Sequence, residues 1–255
     1  MKTYLSLGAG VDTTAILLMP DIMDKTDFVM FADTGGENPE TYEYIEKYIK
    51  PYLEKIQKPL IIVHGEEKVN GKIETNMEMA YLGWKMIPVR FMRHCTDKWK
   101  IRPMHKYLQS NHPDEPLKVI IGFAFDEIQR VNTTRWQDQE TWFPLIDKKM
   151  TRDDCKKYII KQGFPVPPKS GCFYCPFQRL DQWKQLRNNH SDLWERAIRL
   201  ERNGSLYPKL TLSNFKKKGK PLTLKQVDKQ LGKSLYDYDY DYDPANEECS
   251  GACMT

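Results

Sequence analysis

The chain has 255 residues, 40% of them hydrophobic, and a formal net charge of +4. That is enough apolar material for one sizeable core with an appended lobe, and too little for two full domains. No run of 18 or more apolar residues occurs, and the N-terminus lacks the basic, apolar, small-residue order of a signal peptide, so the expectation is a cytoplasmic protein with no membrane span.

In chain order, KTYLSL (2–7) is the first strand candidate. It runs directly into SLGAGVDTT (6–14), which places glycines, an aspartate and paired threonines ahead of a helix candidate at 13–24. Such a stretch is either a cradle of backbone amides for phosphate or an ordinary tight strand-to-helix turn. DFVMFAD (27–33) is the second strand candidate; ADTGGENP follows it and leads to a helix candidate at 39–57, with Pro39 suited to the first turn. PLIIVH (59–64), a helix candidate at 97–110, KVIIGFA (118–124) and TWFPLI (141–146) complete the rhythm. Strands alternating with helices predict an α/β fold, Rossmann-like and doubly wound, with a mainly parallel five-stranded sheet. Ligands of such sheets bind beyond the carboxyl ends of the strands, where SLGAGVDTT, ADTGGENP and GFAFDE all fall, and this coincidence points to a nucleotide site.

Six cysteines (Cys95, Cys155, Cys172, Cys175, Cys249, Cys253) in a reducing compartment suggest metal or redox chemistry more than structural disulfides. Cys155 lies in TRDDCKKYIIKQG, where Thr151 and Asp154 form a capping-box start for a helix. GCFYCPF (171–177) holds a Cys-x-x-Cys pair, half of a tetrahedral thiolate site. In RLDQWKQLRNNHSDLWERAIRLERN, Trp183, Leu186, Leu193 and Trp194 read as packing residues, and Ser191 as the cap of a second helix. Residues 203–233 then carry eight lysines against one acid, either a contact for a polyanion or a solvated face. YDYDYDYDP (236–244) reads as an extended connector to the last residues. Three parts are expected: a nucleotide-binding domain at 1–150, a helical cysteine-containing region at 151–203, and a basic segment with a cysteine-containing tail at 204–255.

SLGAGVDTTAILL followed by FADTGGENPETYEYI resembles the pyrophosphate-binding-loop superfamily of adenine nucleotide alpha hydrolases, in its phosphoadenosine phosphosulfate (PAPS) reductase-like branch. The family loop SGGxDS falls on Gly8, Ala9, Gly10, Val11, Asp12 and Thr13, so only Gly10 and Asp12 are unaltered and the Thr13 hydroxyl substitutes for a serine. RHCTDKWKIRPM (93–104) resembles the cysteine-lysine-proline segment of the branch, and the Cys-x-x-Cys follows in family order. The resemblance implies a nucleotide site of Ser6, Gly8, Ala9, Gly10, Val11, Asp12, Thr13, Thr14, Asp33, Thr34, Gly35, Lys100, Gly122, Asp126, Glu127 and Arg130. Asp126 and Glu127 are equally readable as helix-start acids. The adenylyl-sulfate reductases of this branch bind a 4Fe-4S cluster with tandem cysteines and a later Cys-x-x-Cys. Here His94 stands in place of the first tandem cysteine, so Cys95, Cys155, Cys172 and Cys175 are the expected ligands, with zinc and a His94 ligand as the alternative.

Reductases of the branch carry adjacent arginines after the fourth strand's glycine, where this chain has Ala124 and Phe125, leaving Arg130 as the nearby cation. That departure favours ATP with Mg²⁺ over adenylyl sulfate (APS) or PAPS. The expected reaction is cleavage of ATP between the α and β phosphates coupled to sulfur transfer, with nucleic acid as an acceptor and Asp12, Cys249 and Cys253 as catalytic candidates. The tail EECSGACMT resembles the branch's Glu-Cys-Gly-Leu-His motif only loosely, and its thiols are either sulfur carriers or incidental. Reduction of APS or PAPS to sulfite by a thiol reductant, and nucleotide binding without turnover, are the other two readings. Pairing into a homodimer is common in the superfamily.

Overall fold

In a computed structural model, residues 1–90, 94–133, 139–204, 210–213, 215–217 and 219–229 are described. The elements run β1 (Lys2–Leu7), α1 (Val11–Leu17), α2 (Pro20–Met23), β2 (Phe28–Asp33) and α3 (Pro39–Tyr44), which continues through a π turn at Ile45–Ile49 into α4 (Lys50–Lys55). Next come β3 (Leu60–His64), a hairpin of β4 (Glu67–Val69) and β5 (Lys72–Glu74), α5 (Met77–Trp84) and α6 (His94–Thr96), which leads through a π turn at Asp97–Ile101 into α7 (Arg102–Asn111). They are followed by β6 (Leu117–Ile120), a 3-10 segment at Phe125–Thr133, β7 (Glu140–Trp142), α8 (Pro144–Asp147) and α9 (Arg152–Lys161). The last elements are α10 (Leu180–Asn189), α11 (Ser191–Asn203), a second hairpin of β8 (Lys216–Lys217) and β9 (Lys220–Pro221), and α12 (Leu224–Asp228).

The five-stranded sheet is wholly parallel, in the order β3-β2-β1-β6-β7. Both faces are covered, which is why β1 and β2 read as nearly unbroken apolar runs. Leu5, Leu7, Val29 and Phe31 enter the core on one face, while Tyr4, Phe28, Met30 and Ala32 enter the core on the other. The chain leaves β1 toward β2 and β3 and returns on the other side as β6 and β7, so the crevice between the ends of β1 and β6 is the topological switch point.

Several expected boundaries differ, and proline explains two. The helix expected at 13–24 is broken into α1 and α2, because Pro20 has no amide to donate and its ring clashes with the preceding turn. The strand expected at 141–146 stops at Trp142, and Pro144 opens α8 instead. The boundary expected between residues 150 and 151 does not divide the packing either. On α9, Cys155 and Ile159 join the sheet core with α1, and the third core draws on Val69, Met77, Tyr81 and Trp99 as well as on residues 172–227. Trp183, Leu186, Leu193 and Trp194 all lie in that third core.

The basic segment is tied to this lobe by one buried carboxylate. Glu201 on α11 accepts hydrogen bonds from the amides of Leu212 (2.8 Å) and Leu224 (2.7 Å), and burial raises its pKa. Leu212, Phe215, Leu222, Leu224 and Val227 fill the core below. Glu201→Ala leaves two buried amides unpartnered and is expected to cost about 2–4 kcal/mol. Hydrogen exchange at Leu212 and Leu224 should accelerate in the alanine variant and much less in Glu201→Gln, which keeps an acceptor oxygen.

Candidate active site

The three glycine-containing turns lie at the carboxyl ends of the adjacent strands β2, β1 and β6. After β1, Ala9 takes a left-handed φ of 52°, Gly10 is extended, and α1 begins. The loop is packed from two sides: a Cβ at Gly122 would stand 2.7 Å from Thr13 Cγ2 and 3.1 Å from its amide, and one at Gly10 would stand 3.0 Å from Ser170 Oγ. Thr13 Oγ1 donates back to the Gly10 carbonyl at 3.4 Å, closing the turn. The buried Asp12 Oδ1 and Thr14 Oγ1 have no hydrogen-bond partner among the described residues, which leaves an acceptor and a hydroxyl in the loop for a bound group to satisfy.

Asp12 Oδ2 accepts from Arg152 at 2.9 Å, and the same guanidinium nitrogen donates to Glu127 Oε1 at 2.9 Å. Arg130, stacked 4.4 Å over the Phe123 ring, donates to that Glu127 oxygen at 3.0 Å. Two buried carboxylates and two arginines therefore form one network across the switch point. Burial lifts the Asp12 pKa to about 6 despite the opposing charge of Arg152. Glu127 is thus an internal counterion of both arginines, while Asp126 is exposed and accepts from the Arg152 amide at 3.3 Å. The expectation that Arg130 is the cation near the site omitted Arg152, the first residue of α9. Its capping box was legible, but the packing of α9 on α1 that delivers the guanidinium was not.

Other expected residues serve neighbours. The Ser6 hydroxyl donates to Met104 Sδ inside the sheet core. Asp33 Oδ1 accepts from the Gly35 amide (2.8 Å) and the Tyr42 hydroxyl (2.6 Å), and Gly35 takes a left-handed φ of 69°. The buried Thr34 hydroxyl lies 3.2 Å from Cys172 Sγ and 3.3 Å from Glu37 Oε1, and Lys100 Nζ donates to that carboxylate oxygen at 3.2 Å. The turn after β2 therefore meets the Cys172 thiol through Thr34 and Glu37.

Cys172 belongs to the third core, with Cys95 and Cys175 packed against it, and Tyr81 lies in the same cluster, its pKa raised first by burial and then by these thiols. Cys172 and Cys175 share a tight turn closed by the Cys175 amide and the Cys172 carbonyl at 3.0 Å. Cys155 is not with them. It is fully buried in the sheet core, where burial raises its thiol pKa, so the structure removes it from the expected ligand set. His94, exposed at the start of α6, adjoins Cys95. Cys249 and Cys253 lie outside the described residues.

One short stretch joins the two halves of the site. Ser170 lies against Gly10, the Gly171 carbonyl accepts from the Asn38 amide at 3.0 Å, Cys172 touches Thr34, and the Phe173 amide donates to the Gly36 carbonyl at 2.9 Å. A single backbone stretch, 170–173, therefore contacts both the β1–α1 loop and the turn after β2, and it carries Cys172.

Residues 2–169 match the phosphoadenosine phosphosulfate reductase domain. The chain belongs to that family. Among curated proteins it is 23% identical over 214 residues to an uncharacterized protein of Methanocaldococcus jannaschii; the match covers 75% of this chain and 40% of that relative's length. Among solved structures it is similar to the U34-tRNA thiolase NcsA from Methanococcus maripaludis with its 4Fe-4S cluster, at 14% identity and a TM-score of 0.42, covering 91% of this chain and 81% of that one. Among the described residues, no helix is long and apolar enough to cross a membrane.

Two outcomes follow from this geometry. Folding raises the Asp12 pKa from 3.8 to about 6, so the protonated form favours the native state. This group's contribution is complete below the unfolded value and is lost as pH rises through about 6, a change of about 3 kcal/mol. Thermal unfolding across pH 4 to 7 should show that decline in the parent chain and not in Asp12→Asn. Gly122→Ala pushes a methyl group into Thr13 and its backbone and should cost about 1–3 kcal/mol. Calorimetry with and without ATP should find nucleotide affinity lost along with stability.

Proposed function

We propose that the protein adenylates an acceptor with ATP and replaces the activated oxygen with sulfur. The observation that carries this reading is the stretch from Ser170 to Cys175, which touches the β1–α1 loop at one end and holds two thiols at the other. A nucleotide-using loop and a sulfur centre within one wall suit a reaction that needs both.

The residues bear on each step. Gly8, Ala9, Gly10, Val11 and Thr13 shape a loop for the departing pyrophosphate, and Thr14 Oγ1 and Asp12 Oδ1 face the bound group or its Mg²⁺, with Asp126 as a second carboxylate. The acceptor's carbonyl oxygen attacks the α-phosphorus, the bond to the bridging oxygen breaks, and pyrophosphate leaves. Hydrosulfide then adds to the adenylated carbon, AMP departs with the former carbonyl oxygen, and one proton is released to give the thiocarbonyl. Alternatively, the terminal sulfur of a Cys249 persulfide attacks that carbon, AMP leaves, and Cys253 attacks the cysteine sulfur to free the thiocarbonyl. The resulting disulfide is returned to two thiols by an external thiol reductant.

Among the described residues, no three Cys, His, Asp or Glu side chains converge on one point where a single metal ion would sit. The soft donor set of Cys95, Cys172 and Cys175 around one lobe suits a 4Fe-4S cluster held at separate corners, with His94 or a tail cysteine as the fourth donor. When bound, the cluster supplies a Lewis-acidic iron for sulfur.

Reduction of a sulfated nucleotide is the second reading, favoured by the match to the phosphoadenosine phosphosulfate reductase domain. Anaerobically purified protein given ATP, APS or PAPS in parallel separates the two. AMP and pyrophosphate from ATP are expected, while sulfite from either sulfated nucleotide would overturn the leading reading. The same preparation should be brown and contain iron, and Cys172→Ser should lose the colour while retaining ATP binding.

A further inference from the structure

Beside the thiols lies a cavity that the nucleotide loop does not use. Tyr81, Trp84 and Met86 from α5 and its following turn, with His94, Lys98 and Trp99, line it. The Tyr81 and Trp84 rings meet edge to face at 5.9 Å, and Lys98 Nζ stands 5.0 Å over the Trp84 ring while pairing with Glu67 at 3.0 Å. Aromatic side chains beside an amine and an imidazole suit a planar, polar ring. Tyr81, one wall of this cavity, lies in the same buried cluster as Cys172, against which Cys95 and Cys175 pack.

The same lobe carries the positive charge. Lys216, Lys217 and Lys220 stand exposed on the β8–β9 hairpin, and Lys225 and Lys229 are exposed on and just after α12. Glu201 and the buried leucines fix these segments to the core that contains Tyr81. An aromatic slot and a lysine-rich hairpin on one lobe are the two halves of single-stranded nucleic-acid binding, in which bases stack and phosphates find cations.

We infer that the cavity lined by Tyr81, Trp84 and Trp99 takes an unstacked nucleobase of a single-stranded nucleic acid, presenting it to the thiol side of the site. This rests on the sulfur-transfer reading for its consequence, and on binding alone for its test. The base enters edge-on beside Tyr81, and the hairpin lysines hold the adjoining backbone.

The test uses the full chain, purified anaerobically, and labelled single-stranded RNA and DNA oligonucleotides that are otherwise identical, with or without one abasic position. The intact strand should bind about tenfold tighter than the abasic one. Trp84→Leu should erase that difference and Trp84→Phe should keep most of it, with ATP affinity and Tm reporting that each variant is folded. Lys216→Gln, Lys217→Gln and Lys220→Gln combined should weaken all strands alike and make the slope of log affinity against log salt shallower by about 2. The RNA and DNA arms identify the sugar. Equal binding of intact and abasic strands to the parent chain, or an unchanged preference in folded Trp84→Leu, would overturn the inference. Base-dependent binding without pyrophosphate release from ATP would instead sink the proposed reaction and leave the pocket standing.

Discussion

The guanidinium of Arg152, shared between Asp12 and Glu127, is the interaction on which the site depends. Asp12 comes from the first turn after β1, Glu127 from the segment after β6, and Arg152 from the start of α9. A single cation therefore joins the two sides of the switch point. Each partner is costly to bury alone, and together with Arg130 the four charges balance. The consequence is a β1–α1 loop held in place from the far side of the switch point by one guanidinium.

From that clamp the remaining architecture follows in order. α9 must pack on α1 to deliver Arg152, which brings the chain over the β1–α1 loop at Ser170. The next residues pair with the turn after β2 and set Cys172 against Thr34 and Glu37. The thiols are thereby fixed beside the loop through backbone contacts rather than through a flexible side-chain reach. The lobe that carries them also carries the aromatic cavity and the lysine-bearing hairpin.

The parallel sheet was legible because apolar runs of strand length alternate with helical patterns, and the three turns at the strand ends were legible because glycine, aspartate and threonine cluster there. Strand and helix ends were less so: periodicity continues through Pro20 and Pro144, whereas the missing amide ends the element. Cys155 shows the limit of spacing. Its distance along the chain from Cys172 suited a shared site, but one buried face of α9 sends it into the sheet core. Arg152 shows the converse, a residue with no motif of its own that acquires a role from the helix beneath it. Thr34 had a motif but a different neighbour, since nothing local announces that the chain returns at Cys172.

That return has a consequence for how the molecule assembles. Thr34 and Cys172 lie 138 positions apart, and Asp12 and Arg152 lie 140 apart. Contacts of such separation carry a large loop-closure entropy and form slowly unless intervening structure shortens the path. A formed sheet shortens both paths, which favours docking of α9 and the meeting of Cys172 with Thr34. Until then Cys172 and Cys175 remain on an uncommitted segment, open to oxidation or to capture by stray metal. Speed of closure, as much as final stability, governs whether a newly made chain reaches its intended state.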